Sequence, residues 1–124
     1  MSNNAQAQLV ISALRSSKET VSVAESLTGG GVGFNLTQVP GASEVFLGAV
    51  IAYTAEVKIN FLHVNKKTIE QFTVVSEEVA REMAQGALKA FGTTWAIATT
   101  GVAGPGEFMG HREGTVWIAI AGPV

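Results

Sequence analysis

Three side chains that can cooperate in a hydrolytic reaction lie within sixteen residues of one another in the middle of the sequence: Ser43, Tyr53 and Lys58. A serine hydroxyl is a weak nucleophile at neutral pH unless a base takes its proton, and a partly desolvated lysine with a lowered pKa is one such base. Alone, each residue is more typical of a cap, a core aromatic or a solvated helix position. Together they predict a serine and lysine site beside an apolar strand.

Two glycine-rich turns are candidates for the part of the site that holds a ligand. The segment Glu25–Gly30 follows a strand pattern, so the amides that open the next helix could cradle a phosphate, and Glu25 could orient a ribose hydroxyl or a lysine. The segment Thr100–Gly106 offers backbone that a ligand can approach closely. Neither matches the dinucleotide fingerprint or the P-loop. From spacing alone, a tight packing turn, or a helix cap in the case of Glu25, is about as expected as ligand contact.

The remaining polar residues predict no metal centre. His63 and His111 lie far apart in the chain, and no acidic cluster accompanies either of them. Arg112, next to His111, is more typical of a loop tip, although it could meet an anion. We therefore expect neither a metal nor a cofactor.

Composition limits the class of protein. The 124 residues are 47% hydrophobic with a mean hydropathy of +0.30, which is enough for one compact domain with a core. A net charge of −2 and a pI near 5.6 argue against nucleic acid as a partner. The absence of cysteine excludes disulfides and thiolate chemistry and suits a reducing compartment. Without a signal peptide or a long apolar run, we expect a soluble cytoplasmic protein with no membrane partner.

The elements that must position these residues follow from hydrophobic periodicity. Strands are predicted at 20–24, 46–53, 95–98 and 114–121, and helices at 5–14, from the glycine turn toward 36, at 55–62 and at 77–91, with a short amphipathic segment at 66–72. Ser76 is a predicted N-cap, Gly92 a helix end, and 99–106 a loop. The alternation predicts an α/β fold, a layered α/β/α sandwich with a largely parallel or mixed sheet. Its ligand would lie at the carboxyl ends of the strands.

Five ordered segments give the chain a family resemblance. It resembles the CinA C-terminal domain family of competence/damage-inducible proteins, which also occurs alone as nicotinamide-mononucleotide amidohydrolase. The match covers nearly all of the chain, which we expect to be a single domain over residues 1–124. The segments are Val23-Ala-Glu-Ser-Leu-Thr-Gly-Gly30, Val39-Pro-Gly-Ala-Ser43, Phe46-Leu-Gly48 with Ala52-Tyr53 and Lys58, Val75-Ser-Glu-Glu-Val-Ala80, and Thr100-Gly-Val-Ala-Gly-Pro-Gly106.

The resemblance implies a metal-free amidase of a pyridine nucleotide. Nicotinamide mononucleotide would be converted to nicotinic acid mononucleotide and ammonia, with Ser43 as nucleophile, Lys58 as its base and Tyr53 bound to the reacting centre. Substrate binding would fall to Thr100, Gly101 and Gly104 in one glycine segment and to Glu25, Ser26, Thr28, Gly29 and Gly30 in the other.

Three positions depart from the family pattern. Ala55 stands where members often carry Asn, residues 107–113 replace a glycine- and proline-bearing linker, and the chain stops at Val124 where members usually add a strand and a helix. An uncovered sheet face favours self-association, so we expect a homo-oligomer. The alternative to an active amidase is a degenerate paralogue that binds a nucleotide-like ligand or a protein partner without turnover.

Overall fold

A computed structural model describes residues 2–124, with side chains from Ala5 onward. Strands and helices alternate along it as the sequence predicts. The elements are α1 (Ser2–Ser17), β1 (Val21–Glu25), α2 (Gly31–Thr37), a 3₁₀ turn (Ala42–Glu44), β2 (Phe46–Ile51), α3 (Ala55–Leu62), α4 (Lys66–Phe72), α5 (Glu77–Phe91), β3 (Trp95–Gly101) and β4 (Val116–Ala121).

The four strands form one mixed sheet in the order β2-β1-β3-β4. The central strand β1 is parallel to both β2 and β3, whereas β4 is antiparallel to β3. The prediction of a layered α/β fold with a largely parallel or mixed sheet is therefore confirmed. Because β1, β2 and β3 run in the same direction, the segments that follow them meet at one edge of the sheet.

Helices pack on both faces of the sheet, each over its own core, although Ile118 and Ile120 of β4 are each 65% exposed. On one face, Ile11 of α1 and Leu36 of α2 pack with Val21 and Val23 of β1. On the other, α5 packs against the strands, and Val79, Met83 and Ala87 along it are 0% exposed. The spacing of four residues keeps these three side chains on one side of the helix, as predicted. Their burial stabilises the fold by roughly 1.5–3 kcal/mol for a side chain as large as Met83.

Capping residues set the ends of the two helices that matter most for the site. Ser76 accepts a hydrogen bond from the amide of Val79 at 3.2 Å and Gly92 takes a left-handed conformation, which confirms the predicted ends of α5. Thr54 accepts a hydrogen bond from the amide of Val57 at 3.2 Å and starts α3. The capped turn directs Lys58 toward the sheet interior, where the side chain is buried.

Two predicted strand ends near the site are wrong. Strand β3 continues to Gly101, so Thr99, Thr100 and Gly101 are sheet residues that pair with β4 and not part of a loop. The β-branched threonines fit the pleated ladder of the sheet. Gly101 favours a turn, but the chain leaves the sheet only after it. Strand β2 ends at Ile51, two residues before the predicted end. Among the helices of residues 2–124, none has both the length and the apolar character needed to cross a membrane.

Candidate active site

A pocket of about 500 Å³ lies where the three parallel strands end. Ser26 and Leu27 line it from the turn after β1, and Tyr53 and Lys58 from the segment after β2. The rest of the lining comes mainly from residues 100–109, at the end of β3 and beyond. A concave site at the carboxyl ends of parallel strands is where ligands bind in this class of fold, as the sequence analysis expects.

Lys58 forms the floor of the pocket. Its side chain is 1% exposed, and its Nζ donates hydrogen bonds to the carbonyl of Ala52 at 2.8 Å and to Ser26 Oγ at 3.0 Å. The Ala52 carbonyl lies at the end of β2, so the hydrogen bond folds the lysine back toward the sheet. The ammonium is thereby fixed against a serine hydroxyl inside a pocket.

Burial lowers the pKa of Lys58 from 10.5 to about 8. The cause is the loss of hydration, which penalises the charged form. The ion pairs among the described residues are Arg15–Glu44 and Glu77–Arg81, so no carboxylate there opposes the shift. At pH 7 about one lysine in ten is then neutral and can accept a proton.

Ser26 is the first residue after β1 and is only 6% exposed. Its amide donates to Thr99 Oγ1 at 3.3 Å, and Thr99 Oγ1 shares a second hydrogen bond of 2.8 Å with Thr28 Oγ1. These contacts hold the turn against β3 while the Ser26 hydroxyl meets Lys58. A nucleophile within hydrogen-bond reach of a base of lowered pKa is the arrangement that serine and lysine hydrolases require.

The family model of the CinA C-terminal domain matches residues 3–124. The chain belongs to the CinA C-terminal domain family. A CinA-like protein of Gloeothece citriformis is 51% identical over 111 residues, which are 89% of this chain and 27% of that protein. One of Nostoc punctiforme is 45% identical over 124 residues, covering 99% of this chain and 30% of that protein. The CinA-type domain thus spans less than a third of these relatives.

Solved structures of the CinA superfamily share the fold. The competence/damage-inducible protein CihA from Agrobacterium tumefaciens superposes with a TM-score of 0.93 at 34% identity, over 97% of this chain and 73% of that one. A CinA superfamily protein from Escherichia coli gives a TM-score of 0.91 at 30% identity, over 94% and 68%. The family and fold predicted from the sequence are both confirmed.

Within the CinA-type domain, the structure does not bring Ser43 to Lys58. Ser43 is exposed in the 3₁₀ turn before β2, whereas Lys58 lies in the helix after β2. The six residues of β2, which extend over about 20 Å, separate the two positions along the chain. No hydrogen bond of the described residues joins Ser43 to Lys58, and Ser26 is the serine that contacts the lysine. A catalytic role for Ser43 stays a prediction.

A signal for Ser26 was present in the sequence. Ser26 and Lys58 each follow the carboxyl end of a predicted strand, and Ser43 precedes one. In a parallel sheet, the residues that follow the carboxyl ends of the strands meet at one edge. Closeness in sequence favoured Ser43, and strand direction favours Ser26.

Glu25 serves the fold and does not line the pocket. Its carboxylate is 0% exposed and accepts hydrogen bonds from the amides of Gly30, Val32 and Gly33 at 3.0, 3.1 and 2.8 Å. The protein's own carboxylate therefore occupies the helix start that was predicted to hold a phosphate. This is the capping alternative that the sequence left open.

The neighbours of Glu25 in the first glycine segment also lie outside the pocket lining. Thr28 and Gly29 are exposed, and Gly30 is half-buried at the start of α2. None of the three lines the pocket, so among the residues predicted from this segment only Ser26 does. Substrate contact by Glu25, Thr28, Gly29 and Gly30 has no support in this geometry.

Thr100, Gly101 and Gly104 do line the pocket, as does Tyr53. Thr100 is 1% exposed and donates its hydroxyl hydrogen to the carbonyl of Val74 at 2.7 Å, so toward a ligand it can act only as an acceptor. A Cβ at Gly101 would collide with the carbonyl of Thr115, so close packing leaves room only for glycine at this position. Tyr53 is 70% exposed, and its ring faces solvent at the pocket.

The sequence analysis did not single out Phe108 and Met109, which line the pocket beyond β3. Both side chains are about half exposed although they are large and apolar. They fall in the stretch 107–113 that departs from the family pattern, and that departure was the available signal. Within residues 5–124, no group of three or more histidine, aspartate or glutamate side chains is arranged to hold a metal ion.

Proposed function

We propose that this CinA-type domain hydrolyses the carboxamide of nicotinamide mononucleotide, with Ser26 as nucleophile and Lys58 as its base. The products are nicotinic acid mononucleotide and ammonia. The observation that carries the proposal is the 3.0 Å contact between Lys58 Nζ and Ser26 Oγ at the floor of the pocket. The family membership supports the substrate class, and the geometry supports the serine and lysine chemistry.

In the first step, neutral Lys58 accepts the proton of Ser26 as Ser26 Oγ bonds to the carboxamide carbon. The Nζ lone pair uses the existing contact, while an N–H of the same amine continues to donate to the Ala52 carbonyl. The electron pair of the C=O bond moves to oxygen and forms a tetrahedral oxyanion. The lysine ammonium then protonates the nitrogen, the C–N bond breaks, and ammonia leaves an acyl-serine ester.

In the second step, water replaces the serine. Lys58, neutral again, takes a proton from a water molecule that attacks the ester carbon, and it returns that proton to Ser26 Oγ as the C–O bond breaks. The carboxylic acid product loses its proton to solvent. One lysine thus acts as base and acid in both halves of the reaction.

Two other lining residues have roles in the proposal that match their hydrogen-bonding capacity. Tyr53 is exposed at the pocket, and its phenol would donate to the carboxamide oxygen where negative charge develops. Thr100 gives its hydrogen to Val74, so it would accept a hydrogen bond from the carboxamide nitrogen. The two residues together would orient the amide.

The test is ammonia release from nicotinamide mononucleotide by four purified proteins: the parent, Ser26→Ala, Lys58→Ala and Ser43→Ala. The parent and Ser43→Ala should release ammonia at similar rates, because Ser43 is exposed in the turn before β2 and is not among the lining residues of the pocket. Ser26→Ala and Lys58→Ala should lose at least about a thousandfold in kcat. Circular dichroism and thermal unfolding would verify that each variant is folded.

Two results would contradict the proposal. Activity that survives Ser26→Ala but disappears in Ser43→Ala would return the nucleophile to Ser43. A folded parent that releases no ammonia, yet is stabilised against heat by the nucleotide, would identify a binding paralogue without turnover.

A further inference from the structure

The wall of the pocket beyond β3 is joined to the segment after α4 by a hydrogen bond between two side chains. His111 Nε2 and Thr73 Oγ1 lie 2.9 Å apart, and His111 is half-buried. Phe108 and His111 exchange two backbone hydrogen bonds of 2.9 Å, so the histidine also closes the tight turn that carries Met109. We call residues Phe108–His111 the pocket hairpin. Since Phe108 and Met109 line the pocket, the contact made by His111 holds lining residues in place.

Thr73 has a backbone conformation that a threonine rarely takes. Its φ of 68° and ψ of 167° fall in a region that is essentially restricted to glycine, and the β-branched side chain makes the conformation costly. Its hydroxyl offsets part of that cost, because it accepts a hydrogen bond from the amide of Val75 at 3.2 Å and binds His111. Such a conformation persists only where surrounding contacts impose it, and it is common at ligand clamps.

The segment that carries Thr73 is itself fixed to the sheet and to α5. The carbonyl of Val74 accepts the hydroxyl hydrogen of Thr100 on β3 at 2.7 Å. The Ser76 hydroxyl, which caps α5, donates to the carbonyl of Thr73 at 2.9 Å. Thr73 therefore offers the hairpin a fixed point of attachment beside the pocket.

The other hydrogen bonds around the hairpin stay within its own loop. The Gly106 amide donates to Glu113 Oε1 at 2.8 Å, and the Thr115 amide donates to the carbonyl of Arg112 at 3.1 Å. Among the hydrogen bonds of the described residues, the one between Thr73 and His111 is what joins residues 103–113 to a segment outside the loop between β3 and β4. A two-stranded hairpin is at best marginally stable by itself. The pocket hairpin thus depends on this bond for its place.

We propose that His111 and Thr73 are positioning residues, which latch the pocket hairpin and so keep the pocket in the form that binds the ligand. Neither residue lines the pocket, so each acts through the residues that it holds. Without the latch the hairpin leaves its place for part of the time, and the apparent affinity for the ligand falls in proportion to the closed fraction. Ser26 and Lys58 lie on other segments and keep their contact. The inference rests on the proposed function for its substrate, but the closure of the hairpin is measurable without any ligand.

The kinetic test compares three substitutions of His111 in the assay of ammonia release. The latch uses Nε2, a position that the amide of glutamine can reach and that of the shorter asparagine cannot. His111→Ala and His111→Asn should raise KM for nicotinamide mononucleotide about fivefold, the effect of one hydrogen bond, and change kcat by less than about twofold. His111→Gln should restore the KM of the parent. Equal KM values for the parent and His111→Ala, or a loss confined to kcat, would overturn the inference.

His63→Asn is the matched control for the loss of a histidine. His63 is exposed at the end of α3 and does not line the pocket. Its φ of 57° is one that asparagine tolerates, so the substitution should leave KM unchanged.

Thr73 allows a test that separates positioning from stability. Thr73→Gly removes the hydroxyl and also relieves the backbone, so it should raise KM about fivefold without lowering Tm. Thr73→Ser keeps the hydroxyl and should keep the KM of the parent. Adding His111→Ala to Thr73→Gly should raise KM no further, because the two residues form one contact. A lower Tm with an unchanged KM, or effects on KM that multiply in the double variant, would contradict the latch.

The ligand-free test measures amide hydrogen exchange in the parent, His111→Ala and His111→Gln. The amides of Phe108 and His111 are hydrogen-bonded within the hairpin and report its opening. Their exchange should be about fivefold faster or more in His111→Ala and unchanged in His111→Gln, while exchange in β3 stays the same. Equal exchange in the parent and His111→Ala would overturn the inference. Faster exchange in His111→Ala, in a protein whose parent releases no ammonia, would uphold the latch while the proposed function fails.

Discussion

Lys58 Nζ lies 3.0 Å from Ser26 Oγ, although 32 residues separate the two positions in the chain. Parallel strands β1 and β2 produce this contact, because each residue follows the carboxyl end of its strand. The Ala52 carbonyl, bound to the same ammonium at 2.8 Å, fixes the direction of the lysine. Burial without an ion-pair partner makes the charged form of Lys58 costly to the fold and makes its neutral form available as a base. The predictions below measure the effects on stability and on turnover.

The first prediction concerns the pH dependence of turnover. Burial lowers the pKa of Lys58 to about 8, and only the neutral amine can accept the serine proton. The quantity kcat/KM for nicotinamide mononucleotide should therefore fall about tenfold for each pH unit below 8 and level off above it. Initial rates between pH 6 and 9.5 measure the profile. A rate independent of pH between 6 and 8 would exclude Lys58 as the base.

The second prediction concerns stability at alkaline pH. Between pH 8 and 10.5 the unfolded chain keeps a proton on Lys58 that the folded chain has lost, so the free energy of unfolding should rise with pH. Relative to Lys58→Met, which cannot titrate, the parent should gain about 1.4 kcal/mol per pH unit across that window, reaching about 3 kcal/mol. Below pH 8 the difference should be constant, because both states of the parent are protonated.

Urea unfolding of the parent and of Lys58→Met at pH 7, 8, 9 and 10 supplies the comparison. All other side chains are common to both proteins, so their contributions cancel in the difference. A difference that stays level from pH 7 to 10 would mean that the folded and unfolded states bind the Lys58 proton equally well.

The third prediction concerns Glu25, whose buried carboxylate accepts three amide hydrogen bonds at the start of α2. In Glu25→Gln one oxygen becomes an NH2 group, which faces amides and can accept nothing from them. The free energy of unfolding should fall by about 1–3 kcal/mol. Glu44→Gln is the matched control, because that carboxylate is 61% exposed in a surface ion pair with Arg15 and should cost less than about 1 kcal/mol.

The fourth prediction concerns the approach of α5 to α3, the helix that carries Lys58. A Cβ at Gly86 would collide with the carbonyl of Leu62, and backbone cannot move aside as a flexible side chain can. Gly86→Ala should destabilise the protein by about 1–3 kcal/mol or more. In Gly31→Ala the added Cβ meets no atom within 4 Å, so that variant should be neutral or slightly stabilised. Thermal unfolding of both variants decides between local crowding and a general effect of alanine.

The sequence by itself determined the secondary structure wherever local signals agreed. The bounds of α3 and α5 follow from Ser76, Gly92 and the spacing of apolar residues, and the structure has them as predicted. Where local signals conflicted, the pairing of strands decided. Gly101 suggested a turn, yet the ladder with β4 keeps residues 99–101 in β3.

The sequence also determined which residue types form the site, and the tertiary structure decided which of them meet. Lys58, Tyr53 and Thr100 line one pocket, as the sequence analysis expects. The choice between Ser26 and Ser43 depends on strand direction, a property of the assembled sheet that no nearby residue encodes. The partners of Glu25 and the lowered pKa of Lys58 likewise depend on burial, which arises only when distant segments pack together and exclude water.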